Sequence, residues 1–219
     1  LPFWLTLVLP FIAWIGASVG GWTVLLLPVS TWYLFSIIDA VMGETTENAD
    51  LSTSESELFW YKLVTQIWLP VQAVTLFGII AYVTTRGHLS GLELVLLFFG
   101  LGVISGTVGV VYSHELLHQR NRFERWLGDI LLSMVLYSHF RSEHLLVHHR
   151  YVGTNRDPVT ARYNEGFHRF LPRVVIGSAK SSFKAEREML ARRGLPWHHR
   201  SNPFWRYWAL QGLMLAFAL

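Results

Sequence analysis

Five histidines form two clusters whose spacing suits metal binding. His114 and His118 lie four residues apart in SHELLHQ, and His144, His148 and His149 lie within EHLLVHH. Residues four apart on a helix project from one face, so each such pair could bind one ion. His149 should point about 100° away from His148, towards a second ligand position or a second ion. Neutral imidazole is the commonest metal ligand, and the two clusters together predict a metal centre.

The composition restricts the ligands to nitrogen and oxygen. No cysteine occurs among the 219 residues, which excludes thiolate metal sites, iron–sulfur clusters and disulfides within this chain. Three carboxylates near the histidines, Glu115, Glu143 and Asp157, are candidates to accept hydrogen bonds from the second ring nitrogen of a ligand. The alternatives are ordinary interfacial charges for the two glutamates, and a turn or cap role for Asp157, which precedes Pro158.

The segment HELLH also matches the HExxH pattern of zinc proteases, in which Glu115 would act as the general base. That pattern is short, and a single zinc ion needs only three protein ligands and an open position. It leaves the second cluster of three histidines unexplained. We therefore favour a larger centre that uses both clusters.

The histidines lie in a strongly apolar chain. Hydrophobic residues make up 52% of it and charged residues 15%, whereas about a quarter of a soluble domain is charged. Four apolar segments are long enough, or nearly so, to cross a bilayer: residues 3–19, 22–38, 63–83 and 92–111. The apolar run 126–137 is too short to span and is expected to lie at the membrane interface or to re-enter.

These segments predict an all-α fold, a polytopic bundle of membrane helices with a histidine-rich cytoplasmic cap. We expect four transmembrane helices in two hairpins over residues 1–112 and a cap with a short interfacial helix over 113–202. The start of a fifth transmembrane helix is expected over 203–219. Because the chain begins with Leu1 and ends in a short apolar run, we also expect a fragment of a longer protein.

Positive charge is concentrated in the second half of the chain. Of 18 lysines and arginines only Lys62 and Arg86 precede residue 113, which leaves 16 in the later part. The positive-inside rule places that part in the cytoplasm, and four crossings put the acidic loop 39–57 on the same side. Residues 113–206 contain 16 cations and 8 acids, a net charge of +8 that would attract an acidic partner. The alternative is that this charge follows topology and contacts anionic lipid.

Three glycines, Gly102, Gly106 and Gly109, lie on the apolar segment that leads to His114. Their spacing favours close helix packing, because missing side chains on one face let a neighbouring helix approach. The alternative is that they make room for a substrate channel.

The combination of HELLHQ, SHF, EHLLVHH and GTNRDPVTARYNEGFHRF resembles the AlkB-type membrane-bound alkane 1-monooxygenases. These belong to the histidine-rich membrane di-iron group, which also contains xylene monooxygenase and the fatty-acid desaturases. Gln119 stands where the family usually has lysine, and Val147 stands where it usually has glycine. Neither difference removes a histidine.

The resemblance implies that His114, His118, His144, His148 and His149 ligate two non-haem iron ions, with O₂ as co-substrate. The family shares His139, for which we expect an orienting or structural role beside those considered for Glu115, Glu143 and Asp157. It commonly has tyrosine or a similar residue where His168 stands, so His168 is expected to be a local variation or an orienting residue and not a ligand. Family members carry further histidine ligands downstream, so the remaining ligands are expected beyond residue 219. The fragment alone should then neither bind two irons tightly nor turn over.

The resemblance further implies terminal hydroxylation of medium- or long-chain alkanes to 1-alcohols, in a multi-pass protein of the bacterial inner membrane. Electrons would come from rubredoxin or a ferredoxin-type protein, and no nucleic acid partner is expected. Candidates for the docking face of the donor are Arg150, Arg156, Arg169 and Arg173. Three alternatives remain open: a fatty-acid desaturase, a xylene-type hydroxylase and a non-enzymatic membrane metal binder.

Overall fold

The computed structural model describes residues 2–43 and 58–219, and every element within them is helical. Helix α1 consists of a 3-10 segment, Pro2–Leu7, followed by Val8–Val19; α2 covers Gly21–Met42, α3 Phe59–Arg86 and α4 Gly91–Leu117. The later helices are α5 (Arg122–Met134), α6 (140–151), α7 (Phe167–Arg192) and α8 (Phe204–Ala218). The predicted all-α fold is confirmed for this part of the chain.

Within residues 2–43 and 58–219, three helices, α2, α3 and α4, are long and apolar enough to cross a membrane, with 22, 28 and 27 residues. At 1.5 Å per residue even the shortest is about 33 Å long, more than the roughly 30 Å of hydrocarbon in a bilayer. Each contains one predicted span, 22–38, 63–83 or 92–111. Helix α1 is apolar but shorter. The fourth span and the predicted domain limits therefore stay predictions.

Most of the predicted acidic loop, residues 44–57, lies outside the described residues. Its predicted position on the same side of the membrane as the histidines stays a prediction, as does the cytoplasmic orientation of the cap. Residues 126–137 correspond largely to α5, a helix of 13 residues. Its predicted location at the membrane interface is likewise a prediction.

The described chain forms two compact units, the first reaching Leu131 and the second running from Leu132 to Phe217. In the core of the first unit, Leu27 of α2, Ile79 of α3 and Leu97 of α4 are fully buried in one cluster. Burial of each such side chain contributes about 1.5–3 kcal/mol relative to exposure. This core holds the three long helices against one another.

The last turns of α4 present two different faces. Tyr112 and Leu116 are buried in a second cluster with Trp68 of α3 and side chains of α5, and the rings of Trp68 and Tyr112 meet edge to face at 5.5 Å. His114 and His118 are offset from this apolar pair by two residues, which is about half a helical turn. Packing of the apolar stripe therefore turns both histidines away from the core.

Of the three glycines predicted to mediate close packing, Gly109 does so. A Cβ there would collide with the side chain of Gln72, which is 3% exposed and accepts a 2.8 Å hydrogen bond from Nε1 of Trp68. A Cβ at Gly102 or Gly106 would meet no described atom within 4 Å. The packing prediction was wrong at these two positions, because no described helix covers that side of α4.

Among the helices of the described chain, three contain a π-helical segment: Ser30–Leu34 in α2, Ser105–Gly109 in α4 and His144–His148 in α6. In such a segment the backbone hydrogen bonds join residues five apart, which changes the face on which later side chains lie. One segment ends shortly before His114, and another carries part of the second histidine cluster. π-Helical segments frequently occur at functional sites.

Candidate metal centre

The first histidine pair belongs to the first unit. His114 lies in the last turn of α4 and His118 directly follows the helix. Their rings are 4.7 Å apart between centroids, and each offers a ring nitrogen within 4.8 Å of the other. The predicted common face is therefore confirmed. Nδ1 of His114 lies 3.3 Å from Oε1 of the exposed Glu115, the carboxylate predicted to orient it.

The second cluster lies on α6, in the second unit, and its geometry follows from the π-helical segment. The backbone N–H of His149 donates to the carbonyl oxygen of His144, five residues earlier. This register brings Nε2 of His149 to 2.9 Å from Nε2 of His144. The α-helical spacing predicted that His144 and His148 would offer their ring nitrogens to one ion. In the structure it is His149 whose Nε2 lies beside Nε2 of His144.

The separation of these two nitrogens suits ligands of one ion. Imidazole nitrogens bind divalent transition metals at about 2.0–2.1 Å, so two ligands at right angles around one ion lie about 3 Å apart. Nε2 of His144 and Nε2 of His149 are 2.9 Å apart. His144 is 8% exposed, whereas His149 is exposed. The donor set therefore fits a nitrogen-ligated metal at the edge of the second unit.

His148 is oriented by a carboxylate. Its Nδ1 lies 2.9 Å from Oδ2 of Asp157, whose side chain is completely buried. The ring is stacked against that of His144 with 5.4 Å between centroids. An ionised Asp157 can only accept, so Nδ1 of His148 carries the proton and donates it. Nε2 then keeps the lone pair that a metal ligand requires.

The surroundings of Asp157 favour its ionised form. Burial opposes ionisation, but hydrogen bonds from the hydroxyl of Thr160, the backbone N–H of Val159 and the ring of His148 together lower the pKa of Asp157. Thr160 donates to Oδ2 at 2.7 Å and Val159 donates to Oδ1 at 2.9 Å. The carboxylate is therefore present at neutral pH and can hold the tautomer of His148.

The loop that carries Asp157 is attached to α7 by Arg173. Its guanidinium donates to the carbonyl oxygens of Pro158 and Thr160, at 2.8 and 3.1 Å, and to both carboxylate oxygens of Glu165. Glu165 in turn accepts from the backbone N–H of Arg162. Arg173 was one of the four arginines predicted for a docking face. In the structure its guanidinium is instead hydrogen-bonded within the loop, and the side chain of Arg173 is 21% exposed.

Replacing Glu165 with glutamine is expected to loosen this loop in a pH-dependent manner. The hydrogen bond from Arg173 and that from the backbone of Arg162 hold the pKa of Glu165 at about 2, below its usual 4.5. A carboxylate with a depressed folded-state pKa stabilises the protein above pH 4.5 and loses that effect as pH falls towards 2. The thermal midpoint of Glu165→Gln should therefore lie below that of the unaltered protein at pH 7, with a difference that shrinks between pH 4.5 and 2.

The matched control is Glu188→Gln. Glu188 also faces a cation, Lys184, but both side chains are exposed and 3.8 Å apart, an arrangement that contributes little to stability. This variant should match the unaltered protein at every pH. A pH-independent loss for Glu165→Gln would show that the ion pair does not hold the loop.

Glu143 is another fully buried carboxyl group of the second unit. It is 0% exposed, and both of its carboxylate oxygens lack a hydrogen-bond partner among the described residues. Burial, followed by the charge of Asp157, raises its pKa to about 7. The structure thus shows no hydrogen bond from Glu143 to a histidine. A cation bound by the imidazoles beside it would compensate this buried carboxylate, so the residues fit a metal ion.

Two further histidines were predicted to have supporting roles. His139 precedes α6; its ring lies 4.7 Å from that of Tyr137, burial lowers its pKa, and its Nε2 has no hydrogen-bond partner among the described residues. His168 is exposed in the first turn of α7, with its ring 5.8 Å from that of Phe167. No hydrogen bond of the described structure joins His168 to the histidines of α6. The predicted roles of both stay predictions.

Helix α6 is anchored within the second unit by Ser142. Its hydroxyl donates to Oε1 of Glu186 at 2.5 Å and lies 2.9 Å from the hydroxyl of Tyr207. Because the single proton of Ser142 goes to Glu186, Tyr207 is the donor in the second contact. These bonds join α6 to α7 and α8 two residues before His144. The sequence shows no motif that identifies them.

The supporting contacts of Asp157 had a weak sequence signal. An aspartate before proline, with a threonine three residues later, is typical of a turn in which the carboxylate accepts local hydrogen bonds. Here the donors are the backbone N–H of Val159 and the hydroxyl of Thr160. The contact with Arg173 had no such signal, because it joins residues 13 to 15 positions apart across a loop.

The chain is similar to known proteins over most of its length. A family model described as fatty acid desaturase matches residues 90–219, more than half of the chain. An alkane 1-monooxygenase of Pseudomonas putida is 32% identical over 182 residues, which are 81% of this chain and 45% of the relative. Alkane 1-monooxygenase 1 of Pseudomonas aeruginosa is 29% identical over 98% of this chain and 59% of its own length.

A more distant relative is the hydroxylase component of xylene/toluene monooxygenase of Pseudomonas putida. It is 26% identical over 90% of this chain and 52% of its own length. The chain thus spans about half the length of the curated relatives that it matches. The chain belongs to the fatty acid desaturase family and, as its histidine motifs predict, is similar within that family to the alkane 1-monooxygenases.

Proposed function

We propose that this chain forms part of an O₂-dependent hydroxylase that converts medium- or long-chain alkanes to 1-alcohols. The observation that carries the proposal is the pair of imidazole nitrogens of His144 and His149, 2.9 Å apart beside the carboxylate-oriented His148. The alkane 1-monooxygenases similar to this chain support the choice of reaction. The reaction consumes alkane, O₂, two electrons and two protons, and yields the 1-alcohol and water.

We propose that the five histidines of the two clusters ligate two non-haem iron ions. Iron supplies the oxidising power for an unactivated C–H bond, which no side chain can provide. The chain contributes neutral imidazoles, a fixed tautomer at His148 through Asp157, and a carboxyl group, Glu143, that is shielded from water. The prediction that the two clusters serve one centre belongs to this proposal.

An apolar substrate is supported by the surroundings of the first pair. In the first unit a pocket of about 420 Å³ is lined in part by Glu115 and Gln119, the residues that directly follow His114 and His118 in the sequence. Its walls include Phe3, Tyr61, Val111 and Tyr112, so most of the surface offered to a ligand is carbon. A hydrocarbon dissolved in the bilayer could reach it beside helices that are apolar enough to span.

We propose that a small acidic protein of the rubredoxin or ferredoxin type supplies the electrons. The net charge of +8 over residues 113–206 supports an acidic partner. Of the four predicted docking residues, Arg150, Arg156 and Arg169 are exposed and have no acidic partner among the described residues. We choose Arg169, at the start of α7, because Arg150 and Arg156 both lie against the ring of Tyr151. Charge reversal, Arg169→Glu, should reduce the rate of reduction by the donor at low salt and flatten its salt dependence.

The reaction is tested with the whole protein that contains this chain, in membranes with a rubredoxin and its reductase. With octane and ¹⁸O₂, the expected product is 1-octanol that carries one ¹⁸O atom. A desaturase would instead introduce a carbon–carbon double bond without label. Iron binding with no O₂-dependent product from any hydrocarbon would favour a metal-binding protein and overturn the proposal.

A xylene-type hydroxylase is the second candidate, favoured by the similarity to the xylene/toluene enzyme component. It would use the same histidines and electrons but act on an aromatic methyl group. Parallel reactions with octane and p-xylene distinguish the two. A higher kcat/KM for p-xylene would select the second candidate.

A further inference from the structure

A groove in the second unit gathers positive charge beside the histidine helix. Its volume is about 690 Å³, and it lies between residues 146–156 and one face of α7. The α7 side chains that line it, at positions 181, 184, 185, 188, 189 and 192, recur at intervals of three and four residues. This is the spacing of a single helix face. The groove is therefore a continuous surface.

The rim of the groove carries four cations and one acid. Arg150, Arg156, Lys184 and Arg192 line it together with Glu188, which leaves a net charge of +3. The guanidinium carbons of Arg150 and Arg156 lie 5.3 and 5.5 Å from the centroid of the same ring, Tyr151. Neither arginine has an acidic partner among the described residues, and such a group of cations favours an anionic ligand.

Part of the lining of the groove is apolar. This apolar part, here called the floor, includes Leu146 and Val147, from the turn between the histidines of α6, and Ala185 and Met189 of α7. An inorganic anion would gain no binding free energy from this apolar surface. A hydrated acidic protein surface would leave much of it in contact with water. A ligand with an anionic head and a hydrocarbon part uses both the rim and the floor.

Another side of α7 carries an aromatic cluster of the kind found at membrane interfaces. Phe183 contacts the rings of Trp197, Phe204 and Trp208, at 5.9, 5.0 and 6.4 Å between centroids. Tryptophan clusters of this kind favour the headgroup region, where one part of the ring is wet and the other apolar. Helix α8 continues from this cluster with exposed leucines and a phenylalanine. Lys184, on the rim, directly follows Phe183.

We propose that this groove binds an anionic phospholipid. The phosphate is held by the cationic rim, and the first carbons of the acyl chains lie on the apolar floor. This function goes beyond the hydroxylase reaction and does not depend on it. Arg150 and Arg156, two of the arginines predicted to dock an electron donor, are assigned to lipid instead.

The test uses the whole protein in nanodiscs that contain phosphatidylcholine and phosphatidylglycerol in equal amounts. Short-chain phosphatidylglycerol binding is measured by native mass spectrometry for the unaltered protein and for Arg150→Gln/Arg156→Gln. The double variant should bind about 30-fold more weakly, because each of two cations near an anionic headgroup is lost. Binding of short-chain phosphatidylcholine should be equally weak in both.

Arg187→Gln is the matched control, since Arg187 is an exposed arginine of α7 that does not line the groove. It should bind phosphatidylglycerol like the unaltered protein, and inorganic phosphate at millimolar concentration should not compete. Circular dichroism and thermal unfolding verify that each variant is folded. Equal phosphatidylglycerol binding by the double variant and the unaltered protein would overturn the proposal. Loss of donor-dependent reduction with lipid binding intact would instead assign the groove to a protein partner.

Discussion

His149→Ala should abolish tight iron binding while leaving the metal-free protein as stable as before. The reason is that His149 is exposed and its Nε2 lies 2.9 Å from Nε2 of His144, the separation of two ligands of one ion. Replacement of exposed side chains usually changes stability by less than about 0.5 kcal/mol. Loss of a direct ligand should exceed the 10–100-fold effect of a residue that only orients a ligand, so we expect at least about 100-fold weaker binding.

The measurement is iron content after purification of the whole protein, together with a titration of the metal-free protein with Co²⁺ followed by its absorption spectrum. Thermal unfolding of the metal-free form verifies that the variant is folded. His198→Ala is the matched control, because His198 is an exposed histidine outside both clusters. Unchanged metal affinity in His149→Ala would mean that the contact with His144 is only a hydrogen bond between two rings.

Asp157→Asn is expected to weaken metal binding by about 10–100-fold. The carboxylate accepts from Nδ1 of His148 at 2.9 Å, which keeps the lone pair on Nε2. An amide NH₂ in the same place would donate to Nδ1 and move the ring proton to Nε2, where it prevents ligation. Buried donors on Thr160 and Val159 would also lose a charged acceptor, at a cost of about 1–3 kcal/mol in the free energy of unfolding.

Nitrogen NMR of the metal-free protein distinguishes orientation from general destabilisation, because it reports the tautomer of His148 directly. The expected change is from Nδ1–H to Nε2–H in Asp157→Asn. Asp39→Asn, at an exposed acid of α2, is the control for loss of one negative charge. A variant that keeps the Nδ1–H tautomer and the original Co²⁺ affinity would remove Asp157 from the metal centre.

Part of the candidate site could be predicted because it depends on local geometry. His114 and His118 share a helix face, and the apolar pair Tyr112 and Leu116 turns that face away from the core. Both results follow from the repeat of 3.6 residues per turn, which the order of residues alone specifies. The membrane helices could be predicted for a similar reason, since about 20 consecutive apolar residues suit a bilayer whatever their neighbours are.

The second cluster shows where the local rule fails. Its spacing predicts that His144 and His148 offer ring nitrogens to the same ion. The π-helical segment instead brings a ring nitrogen of His149 next to one of His144. A π-helical hydrogen bond is less favourable than an α-helical one in isolation, so packing around the helix must stabilise it. Ser142, which bonds Glu186 and the hydroxyl of Tyr207, is one such contact, and its partners are 44 and 65 residues away.

The glycines and arginines also show the difference between what a local sequence pattern predicts and which contacts the folded chain makes. Gly102, Gly106 and Gly109 share one sequence pattern, but only Gly109 faces a neighbouring helix, at Gln72. Arg173 resembles the other arginines in sequence, but it bonds Glu165 and two backbone carbonyls. A pattern of residue types specifies what a side chain can do, and not which partner reaches it.

By itself, the sequence determined the helical class, the three long apolar helices, the two histidine clusters suited to metal binding and the family, because these depend on composition and on spacing along one chain. Only the tertiary structure decided which histidines meet, which carboxylate orients His148 and which cations remain available to a ligand. These outcomes depend on contacts between residues far apart in sequence, such as Arg173 with the loop of Asp157. Their free energy is gained only when the helices pack.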